Sequence, residues 1–147
     1  MIEENEKKLE WYQVLLLGLG YGFVLGFLII TSTYLIAMFF DTPFALLKIF
    51  TLAIVIAVLL GVPSGIVTTA FFYYFFLTQL PNENAIRAIN KVSLLTLIGG
   101  VVSAFVGGII SGGIDGCLLE AVLGTYGIAG IAILIIGVRI KDYGYIP

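Results

Sequence analysis

The 147-residue chain contains no histidine and a single cysteine, Cys117. Without imidazole it lacks the commonest general base, the commonest metal ligand and the usual axial ligand of haem. One thiol excludes an intramolecular disulfide and a cysteine metal cluster, and Cys117 is expected to fill space as a small residue at a helix start. Charge is scarce too: Asp, Glu, Lys and Arg make up 11% of residues, with a net charge of -2. That balance points to no nucleic acid and no strongly charged partner. A phosphate-binding loop is excluded because neither Gly-Lys-Ser nor Gly-Lys-Thr occurs. The run Gly61-Val62-Pro63-Ser64-Gly65 superficially suggests a nucleophile turn, but Val62 stands two before the serine and no histidine is there to activate it. The chain is therefore not expected to be an enzyme, and no cofactor or metal site is expected.

What is plentiful is apolar surface. Hydrophobic residues make up 61% of the chain and the mean hydropathy is +1.15, far outside the range of soluble domains. This predicts an all-α integral membrane protein, one membrane domain over residues 1–147, with the lipid bilayer as its first partner. Met1 to Glu10 holds four Glu and two Lys ahead of a 30-residue uncharged run. A signal peptide has a basic start and a shorter apolar core, so this reads as a retained first span.

Four spans are predicted, at about 11–40, 44–79, 92–112 and 117–140, with a cytoplasmic loop at 81–91. The first run is about 45 Å long as a helix against a hydrocarbon core of about 30 Å, so it crosses with tilt. Asp41, Thr42 and Pro43 read as a capping oxygen followed by Pro at the first helical position, which starts the second span after a very short connection. Pro63 is expected to kink that span, since it offers no N–H and its ring crowds the carbonyl of Leu59. Ile86 and Ile89 suit a short amphipathic turn leading into the third span. Reading Pro63 as a break would give five spans and put one basic cluster on the wrong side. With four spans, Lys7, Lys8, Arg87, Lys91, Arg139 and Lys141 all fall on one side. By the positive-inside rule both termini are expected in the cytoplasm, and the chain is expected in the cell membrane.

The chain is organised around the third span. There small and bulky residues alternate in pairs: Gly99-Gly100, Val101-Val102, Ser103-Ala104, Phe105-Val106, Gly107-Gly108, Ile109-Ile110. Positions four apart lie nearly above one another on a helix, so Gly100, Ala104, Gly108 and Gly112 form a small stripe. The same spacing recurs in Gly18, Gly22 and Gly26, and in Ala53, Ala57, Gly61 and Gly65. In water an interior Gly costs about 0.8 to 1 kcal/mol relative to Ala. In lipid such a stripe lets a second helix approach closely. The expected architecture is a four-transmembrane-helix bundle of glycine-zipper type, in which either all four stripes bury inside a lone bundle or one of the two small lines on the third span faces outward to another copy or another subunit.

Ionisable groups at membrane depth are functional candidates by default. Lys48 and Glu120 lie about one turn inside the outer face, near Asp41 and Asp115. In one reading they snorkel to the interface or pair to tie the hairpins together. In the other, Glu120 with Asp41 and Asp115 forms an acidic outer vestibule for a cation, or Glu120 carries a proton. Mid-membrane hydroxyls, Ser64, Thr68, Thr69 and Thr125 among them, are expected to bond backbone carbonyls or a neighbouring helix. The favoured function is a small structural or accessory membrane protein, a homo-oligomer or a subunit of a larger membrane complex. The alternative is a small ion channel or transporter using Glu120 and Lys48.

Overall fold

The computed structural model describes residues 8–40, 43–78 and 80–143, the last three by their helical backbone only. Met1 to Lys7, Asp41, Thr42 and Tyr145 lie outside the described residues. Among those described, the chain is all helical, and four helical segments are long and apolar enough to cross a membrane. The first is α1, Trp11–Phe39. The second combines α2, Leu46–Ile56, and α3, Val62–Phe72, and continues to Leu77. The third is α4, Asn82–Ser111, and the fourth α5, Ile114–Tyr143.

Two π turns interrupt the second segment, at Ala57–Gly61 and Tyr73–Leu77. The first explains how Pro63 is accommodated. The Val62 N–H reaches back five residues to the Ala57 carbonyl, so a wider turn stands immediately before the proline ring. The second segment begins later than the Asp-Thr-Pro signal implies. Pro43 to Ala45 is not helical, and the first turn is closed by the Ala45 carbonyl, which accepts from Lys48 and Ile49. The Phe44 ring packs edge-on against Tyr34 of α1, with centroids 5.2 Å apart, which lays this connection along α1 before the helix starts. The polar stretch expected as a loop at 81–91 is the opening of α4, which starts at Asn82. Ala85, Ala88 and Ile89 are buried on its inner face while Glu83 and Arg87 are exposed. That 3.6-residue periodicity makes the segment an amphipathic helix continuous with the span.

α1 is the central element, packing against α2, α3, α4 and α5, while α4 and α5 share the most extensive interface and α2 packs chiefly on α1. Between α1 and α3 the backbones nearly touch. A Cβ built on Gly18 would stand 2.7 Å from the Ile66 Cα, and one on Gly22 3.0 Å from the Gly65 Cα. At the end where α1 begins and α5 finishes, Leu9, Val14, Phe72, Leu77, Ile89, Val92, Ile133 and Ile136 form one buried cluster. Tyr73 donates a 2.7 Å hydrogen bond to the Leu9 carbonyl there. At the opposite end the Phe40 ring lies over Gly108 beside Cys117, which is fully buried.

Gly112 ends α4 in the left-handed conformation, φ 62°, with open space around it. Outside these contacts the surface is a broad apolar coat, with Leu16, Leu47, Leu60, Val67, Ile110 and Leu134 all more than half exposed. In water such a surface would be an aggregation patch, whereas lipid is its natural solvent.

Candidate functional site

Where the two hairpins diverge, they leave a cavity of about 270 Å³. α1 supplies Tyr21 to Ile30 as its back wall, the second segment supplies Leu60, Ser64, Thr68, Thr69 and Phe72, α4 supplies Ile89 to Thr96, and α5 supplies Ala121 to Ile133. It forms because the second segment meets α5 closely only near its final π turn, where the Phe76 ring lies under Gly137. Further along, Ser64 and Tyr126 span the gap with a 2.8 Å hydrogen bond between their hydroxyls. Leu60, Val122 and Tyr126 line the cavity and are also exposed on the outer surface, so the opening lies between α3 and α5.

Among the described residues the wall is apolar apart from hydroxyls and glycine backbone, and no charged side chain lines it. Two of its threonines satisfy themselves locally: Thr96 donates to the Val92 carbonyl at 2.7 Å and Thr125 to the Ala121 carbonyl at 2.5 Å. Thr33 does the same with Ile29 away from the cavity. The Ser64 hydroxyl takes the other course open to such groups and reaches a neighbouring helix, at Tyr126, while the π turn rearranges the backbone bonds before the proline. Thr68, Thr69 and Ser93 line the cavity and make no hydrogen bond among the described residues. Neither do Thr31, Ser32 and Ser103, and the Thr31 hydroxyl is buried without a partner. Beside the cavity Tyr21 donates to the Asn90 side-chain oxygen. Tyr21, Asn90, Ser93 and Tyr126 did not stand out in the sequence, because a tyrosine or serine in an apolar run carries no mark of the space it faces.

The charges lie elsewhere. Lys48 is exposed in the first turn of α2, whose buried line is Ile49 and Ala53. Asp115 is exposed in the first turn of α5, where a carboxylate suits the helix N-terminus. Glu120 is half-buried, its Cβ and Cγ against Gly107. No ion pair joins Lys48, Asp115 and Glu120 among the described residues, because α2 packs on α1 rather than on α5. Asp41 lies outside the described residues. Among the remaining small residues singled out by spacing, Gly26 faces Ala57 and Gly61 with a built Cβ 3.2 Å from each Cα, Gly100 faces Thr125 and Ile29, and Ala104 is fully buried.

No family profile, curated protein or solved structure matches the chain. The class that the fold defines is a small protein with four helices able to cross a membrane.

Proposed function

We propose that the protein is a small multi-pass protein of the cell membrane, structural or accessory in kind, which works by associating with further copies of itself or with a larger membrane complex. Its termini face the cytoplasm in this reading, and its small-residue stripes act as a glycine zipper for helix association. The observation that carries the reading is on α5. Gly127 and Gly130 are exposed, and a Cβ at either would meet nothing within 4 Å. The neighbouring exposed residues Leu123, Tyr126, Ile131 and Leu134 are large and apolar. Small residues flanked by large apolar ones on a lipid-facing helix are what a second helix needs for close approach. A transport role draws no comparable support, since Lys48 and Glu120 do not line the cavity.

The test is native mass spectrometry of the particle extracted with its own lipid, with every chain identified. The reading expects more than one copy of the 15.9 kDa chain, or this chain with other membrane subunits. Gly127→Leu with Gly130→Leu should then shift the particle towards the single chain. A particle of one chain in native lipid would overturn it.

A further inference from the structure

The cavity reaches the middle of all four membrane-crossing segments, because its wall includes Leu25 of α1, Gly61 of the second segment, Thr96 of α4 and Tyr126 of α5. Each of these lies near the midpoint of its helix, so the space opens at the level of the hydrocarbon core. What enters it comes from the bilayer, through the opening between α3 and α5. Among the described residues its wall holds no charged side chain, and an ionic head at that depth would go unpaired. Yet the wall is not uniformly oily: Thr68, Thr69 and Ser93 present hydroxyls there with no hydrogen bond.

The contrast with Thr96 and Thr125 matters. In a membrane helix the carbonyl four residues back is within reach of a threonine hydroxyl, and those two use it. Thr68, Thr69 and Ser93 do not. An O–H left unbonded out of water is costly, and the cost is removed by an acceptor brought in by a ligand. A phospholipid cannot bring its head oxygens to mid-depth, because its charged head is held at the interface. Its acyl chain would fill the space and leave the hydroxyls unmatched.

We propose that the cavity binds one uncharged lipid whose head carries carbonyl oxygens on a hydrocarbon tail, with Thr68, Thr69 and Ser93 donating to those oxygens. The aromatic rings of Tyr21, Phe72 and Tyr126 line the same space and flank the head. The Ser64–Tyr126 hydrogen bond spans the opening. This chemistry is shared by a quinone ring and by the esters of an acylglycerol.

The experiment titrates the full-length protein in nanodiscs with decyl-substituted benzoquinone in one arm and dioleoylglycerol in the other, reading bound mass by native mass spectrometry. A saturable adduct of one molecule per chain is expected in at least one arm, and the arm identifies the source. Thr68→Val with Ser93→Ala should weaken it by about tenfold or more, as expected for two lost hydrogen bonds. Ala129→Phe, which fills the wall from α5, should abolish it. Both variants are checked for unchanged helical circular dichroism, and Ser93→Ala alone serves if the double variant does not fold. The proposal is overturned by no adduct in either arm, by equal affinity in the hydroxyl variant, or by equally tight binding of dioleoylphosphatidylcholine in competition.

Discussion

The two hairpins carry the same spacing of four and use it differently. Between α1 and α3 the glycines face backbone: Gly18 opposes the Ile66 Cα, and Gly22 opposes the Gly61 carbonyl carbon and the Gly65 Cα. Around α4 and α5 most of them face side chains. Gly99 receives Ile128, Gly100 receives Thr125 and Ile29, and Gly108 receives the Phe40 ring. A backbone cannot step aside without moving its whole helix, whereas a side chain can change rotamer. One periodic pattern therefore covers two mechanical situations, a rigid seam in the first hairpin and an adaptable notch-and-knob interface in the second.

That difference is open to substitution. The largest effect is expected at Gly65, where a Cβ would stand 2.7 Å from the Gly22 N. Gly65→Ala should lower unfolding stability in a bilayer, read by steric trapping, by about 3 kcal/mol, the upper end of overpacking costs. Gly99→Ala meets the Ile128 side chain first, with Cγ2 at 2.9 Å, and should cost about 1 kcal/mol by the same assay. A cost at Gly99 equal to that at Gly65 would erase the contrast. Smallest is Ser64→Ala, which deletes one interhelical hydrogen bond and should cost about 0.6 kcal/mol, typical of such bonds in membranes.

Much of the fold was legible in the sequence because bilayer thickness and hydropathy fix where helices cross. The first span was expected at 11–40 and α1 runs Trp11–Phe39. Three features were not legible. The helix at Asn82–Lys91 is legible only as an amphipathic turn at Ile86 and Ile89, because its polar residues hide that the span runs back through them to Asn82. Both π turns depend on how a helix relieves local crowding, at Pro63 in the first case, and spacing rules do not carry that. The cavity arises from the divergence of two hairpins joined by α1, a tertiary property with no local signature. For the same reason Lys48 and Glu120, a natural pair on paper, sit on elements that do not pack together.

The most direct measurement is a double-mutant cycle in one bilayer with Gly22→Ala and Gly65→Ala. If the backbones of α1 and α3 form a rigid seam, the first substitution already separates the helices. The double variant should then cost less than the sum of the singles by at least about 1 kcal/mol, as coupled neighbours do. Strict additivity of the two costs would contradict it.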